Sequence, residues 1–164
     1  MTITPYLYYE DVEAALAFLA KAFGFAKFGA QMRGPDGRIS HAAMKFGPAL
    51  IMMGRPPAGY RNPRRLGQTT QSLYINVKNV DAHFERAKNA GARVLEAPTD
   101  TEYGHRRYGV TDLEGHEWYF AEPLRAESRR PATARSAKRA RAVKPGARSP
   151  ARRGPRKAAK PRRR

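Results

Sequence analysis

The chain carries one pattern twice. Gly47 and Gly115 stand 115 − 47 = 68 residues apart, and the same interval relates Asp11 to Asn79 and Val12 to Val80. The interval falls to 91 − 24 = 67 between Gly24 and Gly91, so one small insertion or deletion lies between. Each copy reads strand, helix, strand, strand, strand. A match over that many elements is a duplication signal, and it sets the architecture.

In the first copy, Ile3–Tyr9 is rich in aromatic and β-branched residues and reads as a strand. Asp11 is a helix cap, and Val12, Leu16, Leu19 and Phe23 form an apolar stripe at helical spacing up to a stop at Gly24. Residues 25–33 and 39–46 flank the turn Gly34-Pro35-Asp36-Gly37, and Gly47-Pro48 turns the chain into a strand over 49–53. Residues 55–69 are a polar linker. The second copy repeats the order: a strand over 71–77, a helix capped by Asn79 with Val80, Phe84 and Ala87 on one face, and a short strand over 93–96. Strands over 108–111 and 116–121 then pair across Asp112-Leu113-Glu114-Gly115. The expected modules are residues 1–54 and 70–123.

Charge divides the chain differently. Residues 1–123 hold 15 Lys/Arg and 13 Asp/Glu, a net of 15 − 13 = +2, whereas residues 124–164 hold 17 Lys/Arg and one acid, a net of 17 − 1 = +16. The last aromatic residue is Phe120. Beyond it too little apolar surface exists to offset the entropy of ordering, so 124–164 is expected to be a disordered tail. Cysteine is absent, which excludes disulfides and thiolate metal sites. No apolar run approaches the length of a membrane span, no secretory pattern is seen, and a cytoplasmic location is expected.

Two βαβββ units, a capped helix after each first strand, and the closing segment Asp112-x-x-Gly115-His116-x-Trp118-x-Phe120 resemble the vicinal oxygen chelate superfamily. That group holds glyoxalase, bleomycin-resistance proteins and extradiol dioxygenases. The resemblance covers residues 2–122. It implies an α+β fold with curled mixed sheets forming a cup, helices outside, and often a homodimer.

Strand alternation then sorts side chains between cup and helix faces. Tyr6, Tyr8, Tyr74 and Asn76 are expected in the cup with Thr4 and Ser72, as are His41, Lys45, Arg107, Met53, Glu117 and Tyr119. The resemblance places the family's divalent-metal ligands at Thr4, Ile51, Ser72 and Tyr119. Such metals want imidazole or carboxylate. The chain is therefore expected to lack a metal, and no other cofactor is implied.

His41 is the candidate general base, with a satisfied polar residue as the alternative. His105 reads as a rim residue, His116 as a turn-orderer and His83 as a half-buried helix residue. Arg107 is an anion anchor, or else an ion-pair partner of Glu117. Tyr6, Tyr8, Tyr74 and Tyr119 are expected to form an aromatic wall for a flat ligand, with ordinary packing between the modules as the alternative. Arg129, Arg130, Lys138, Arg139, Arg152, Arg153, Arg156 and Lys157 are candidate phosphate contacts for non-specific nucleic-acid binding. Three functions follow: a metal-free binding protein for an aromatic or anionic compound, an enzyme transferring protons in the same cup (a lyase, isomerase or dioxygenase type), and a nucleoid-associated protein that works through its tail.

Overall fold

The structure is a computed structural model that describes residues 2–124. The tail contacts expected at Arg129, Arg130, Lys138, Arg139, Arg152, Arg153, Arg156 and Lys157 lie outside the described residues.

Its elements run β1 (Tyr6–Tyr8), α1 (Val12–Phe23), β2 (Ala26–Arg33), β3 (Ile39–Phe46), β4 (Ala49–Gly54), α2 (Pro63–Leu66), β5 (Ser72–Asn76), α3 (Val80–Asn89), β6 (Arg93–Asp100), β7 (His105–Thr111) and β8 (Glu117–Pro123). They build two four-stranded sheets, ordered β1-β4-β3-β2 and β5-β8-β7-β6. Both sheets are mixed: β1 runs parallel to β4 and β5 parallel to β8, with the remaining pairs antiparallel. Strand–helix–strand–strand–strand is thus realised twice, and the sheets stay open.

Local chemistry explains the helices. The Asp11 carboxylate accepts from the Ala14 N–H at 3.0 Å, and Gly24 ends α1 at a left-handed φ of 80°. Asn79 does the same for α3, accepting from the Ala82 N–H at 2.9 Å. All four residues of the α1 stripe are buried. In the linker, expected to be irregular, the Asn62 side chain accepts from the Arg65 N–H at 2.9 Å and starts the short helix α2. Strands β6 and β7 are longer than alternation implied.

The two halves share a single core. Phe23 at the end of α1 lies 4.9 Å from the Phe120 ring and 5.4 Å from Trp118, both in the second sheet. Helix α3 completes the end of α1. Arg86 donates to the Lys21 and Ala20 carbonyls at 2.8 and 2.7 Å, and His83 Nε2 lies 3.0 Å from the Phe23 carbonyl. These are carbonyls the last helical turn leaves without intrahelical partners. At the other end of α1, Glu114 in the β7–β8 turn accepts from the backbone N–H groups of Glu10 and Asp11, each at 2.9 Å. The modules are clamped at both ends of one helix, and the opposite face of each sheet is left uncovered by any helix.

Candidate functional site

The uncovered face of the first sheet is built around Tyr6 and Tyr8, which alternation points away from the core. Their rings meet edge-on at 5.6 Å, and the Tyr6 hydroxyl and His41 Nδ1 share a hydrogen bond of 3.1 Å. Residue 54, opposite His41 on β4, is glycine, and a Cβ there would push the Tyr6 phenol out of its place. Met52 pairs with Tyr6. Farther along, the Lys45 ammonium sits 5.1 Å over the Phe28 ring.

The second face uses the same device with different partners. The Tyr74 hydroxyl lies 3.0 Å from His105 Nδ1, and the Tyr103 ring leans on His105 at 5.6 Å. Burial, aided by Tyr103, pushes the Tyr74 phenol up to about 12, so it stays neutral at physiological pH. Arg107 lies 5.0 Å over the Tyr119 ring and donates to Glu96 at 2.9 Å. Gly109 lets the Tyr119 ring lie flat on the sheet, where a Cβ would come within 2.7 Å of its Cε1. Tyr6 and Tyr74 hold equivalent positions, 74 − 6 = 68 residues apart, but their histidines do not. His41 opposes Gly54 and His105 opposes Pro123, so His41 matches Arg107 instead.

Three expectations are corrected. Met53 does not face the cup: it pairs with Leu7, is 0% exposed and packs in the core, and Met52 takes the concave position. Ile51 is likewise buried, at 3% exposure. The reason is a shorter turn in the first copy. Phe46 pairs with Ala49 across two residues, whereas Asp112 meets His116 across three, which changes the repeat interval from 107 − 41 = 66 in the third strand to 119 − 52 = 67 in the last and inverts its faces. Third, Arg107 pairs with Glu96 rather than Glu117, because it opposes Ala121 on β8 and turns toward β6.

Asn76 shares the exposed face of Tyr74 on β5, and Glu117 lies between Ser72 and Thr111. Two other histidines have structural partners. His116 is buried, with Nε2 3.0 Å from the Tyr8 carbonyl. His83 is held between Phe23 and the Tyr108 hydroxyl, 2.6 Å from its Nδ1. Residues that sequence reasoning missed include Glu96, Tyr103 and Tyr60. Tyr60 lies in the linker, where no periodicity marks it, yet its ring is 5.6 Å from Tyr8.

The family's metal does not suit this donor set. Thr4, Ser72 and Tyr119 offer hydroxyls, and the fourth position, whether Ile51 or its exposed neighbour Met52, offers no hard donor. Among the described residues, no group of three or more His, Asp or Glu is placed to hold a metal ion.

Two grooves flank the linker. One, of about 290 Å³, runs between β1 and residues 60–71 and is lined by Tyr6, Tyr8, Tyr60 and Arg61. The other, of about 260 Å³, lies toward the second sheet and is lined by Arg64, Arg93, Thr111 and Glu117.

Comparison with known proteins agrees with this architecture. Residues 2–120 match the family model described as Glyoxalase/Bleomycin resistance protein/Dioxygenase superfamily. An uncharacterised protein of Mycobacterium bovis is 35% identical over 128 residues, covering 75% of this chain and 84% of that one. Among solved structures, TioX from Micromonospora sp. ML1 is 34% identical with a TM-score of 0.61, covering 76% of this chain and 99% of that one. TnmS3, described as an antibiotic binding protein from Streptomyces sp. CB03234, shares the fold at 20% identity and a TM-score of 0.55, covering 75% and 97% of the two chains. With its tandem βαβββ units, two open mixed sheets and matching closing segment, the chain belongs to the glyoxalase/bleomycin resistance protein/dioxygenase superfamily.

Proposed function

We propose that the chain is a small-molecule-binding protein that takes a flat aromatic or anionic compound on its concave faces without a metal. The observation that carries this reading is exposed aromatic surface. Tyr6, Tyr8 and Phe28 on one face are 46%, 41% and 47% exposed, and Tyr74 and Tyr103 on the other are 45% and 59% exposed. Contiguous exposed apolar surface of this kind belongs to ligand or partner sites. Tyrosine suits such a wall, since its ring stacks while its hydroxyl orients. The antibiotic-binding neighbour supports the reading only through its fold.

A second copy of the chain would cover these faces and close a half-open cup into a pocket. The homodimer supplies the enclosure that a shallow face lacks.

The test is a thermal-shift screen of planar aromatic carboxylates and phenols against the full chain, with and without chelator. A concentration-dependent rise in Tm that chelator leaves unchanged is expected, because ligand bound only to the native state stabilises it by mass action. A rise that chelator abolishes would return the protein to the metal-dependent members.

A second reading rests on the hydrogen bond between Tyr6 and His41, which orients an imidazole on an exposed face. There His41 would act as a general base in a lyase- or isomerase-type reaction. His41→Ala would then abolish turnover while the far-UV circular dichroism stays unchanged.

A further inference from the structure

We infer that the linker builds a ligand subsite of its own, in which Tyr60 and Arg61 take a planar aromatic carboxylate against β1. The inference rests on the small-molecule reading above and names a place and a ligand class within it.

The groove has one aromatic side and one cationic side. Tyr60 leans on Tyr8, and Tyr8 meets Tyr6 edge-on, each at 5.6 Å between ring centres. The three rings form a continuous wall. Its volume of about 290 Å³ is at the lower end of small-molecule pockets, and leaves room for one fused bicyclic ring. Arg61, Gln68, Thr70 and Gln71 bring hydrogen-bond donors, and no acidic residue lines it. The neighbouring groove differs, because Glu117 contributes to its lining.

Arg61 has donors to offer. One guanidinium nitrogen donates to the Arg65 carbonyl at 2.8 Å, and among the described residues no carboxylate lies within ion-pair distance of it. Burial first, and then the charges of Glu114, Glu10 and Asp112, raise the Tyr60 pKa, but all three carboxylates have partners, Asp112 accepting from Tyr9 and Trp118. Glu114 accepts from the Glu10 and Asp11 N–H groups and from Asn62, and Glu10 pairs with Arg65 at 3.2 Å. The cation at the mouth of the groove is therefore Arg61. A guanidinium beside an aromatic wall selects a flat molecule with one carboxylate.

The wall is also preformed. Asn62 caps α2, its side chain donates to Glu114 at 3.2 Å, and the Arg64 N–H donates to the Glu114 carbonyl at 2.8 Å. The linker is thus pinned to the β7–β8 turn, and a pinned wall costs little ordering entropy on binding.

The experiment titrates the full chain, ¹⁵N-labelled, with three probes: 2-naphthoate, neutral 2-methoxynaphthalene and cationic 2-naphthylmethylammonium. Naphthoate is expected to bind tightest and to shift the amide resonances of residues 60–71. Arg61→Gln, at an exposed site, should weaken naphthoate about tenfold and leave methoxynaphthalene unchanged, as loss of a charge-assisted hydrogen bond predicts. Tyr60→Leu should weaken both, and Tyr60→Phe should restore both. Lys78→Gln, at an exposed position between β5 and α3, should change neither. If Tyr60→Leu and Arg61→Gln bind naphthoate like the unaltered chain while Tyr74→Leu or Tyr119→Leu loses it, the linker subsite is wrong and the concave-face reading survives. If no probe binds the full chain, the subsite falls together with the small-molecule reading.

Discussion

The Tyr9 hydroxyl donates to Asp112 Oδ2 at 2.6 Å, joining residues 112 − 9 = 103 positions apart in the sequence. Tyr9 follows the first strand of one module and Asp112 opens the last turn of the other. The same carboxylate accepts from Trp118 Nε1 and from the Glu114 and His116 N–H groups, each at 3.0 Å. Asp112 is buried, yet every one of these bonds is met from a fixed direction. Burial first, and then the Asp112 charge, hold the Tyr9 phenol well above its ordinary pKa, so it remains a donor. The bond fixes how the modules meet, and with them the position of Tyr8, the preceding residue and the last of β1.

Removing this contact should loosen the module junction. Tyr9→Phe keeps the ring and is expected to cost about 1.5 to 3 kcal/mol, the net worth of a hydrogen bond to a charged acceptor. Asp112→Ala strands four buried donors at once and should cost about 3 kcal/mol or more. Urea midpoints followed by circular dichroism check both, and equal midpoints for Tyr9→Phe and the unaltered chain would refute the hub role.

Acid should destabilise the fold through His83. Burial is the main cause of its lowered pKa, offset in part by the bond to the Phe23 carbonyl. The unfolded chain therefore binds the proton more tightly than the native state does. The stability His83 contributes is complete above the ordinary histidine value of 6.5 and is lost as pH falls from there toward its lower native value. Urea midpoints at pH 7.5 and 5.5 should differ more in the unaltered chain than in His83→Gln.

On the second face, Gly109→Ala should move one ring. Its Cβ would lie 2.7 Å from Tyr119 Cε1, and the displaced ring would leave its stack with Arg107. Overpacking of this kind costs about 1 to 3 kcal/mol. Ligands held on this face should lose affinity in Gly109→Ala and in Arg107→Lys alike, because lysine keeps the charge without the planar stack. Isothermal titration calorimetry gives the comparison.

Deleting residues 125–164 should abolish binding to duplex DNA. That segment holds 17 Lys/Arg against one Glu, a net of 17 − 1 = +16. Fluorescence anisotropy of the full chain should show affinity falling steeply with salt and indifferent to sequence. A shortened chain that still binds DNA would place the contacts within residues 1–124.

Sequence alone determined the repeat, and with it the order of elements, because strands and helices are written in local patterns. Asp11, Asn79 and Gly24 mark helix ends through bonds to residues nearby, and Tyr6, Leu7 and Tyr8 alternate because a strand must. The concave faces of Tyr6, Tyr8 and Tyr74 were legible for that reason. Met53 was misplaced because one residue in a turn inverts a strand, and a turn's length is compared across the repeat only once partners are known. The Tyr9–Asp112 bond, the Arg107–Glu96 pair and the placing of Tyr60 beside Tyr8 were decided by tertiary structure. Each joins elements whose meeting depends on how the whole chain packs, and no local spacing encodes that.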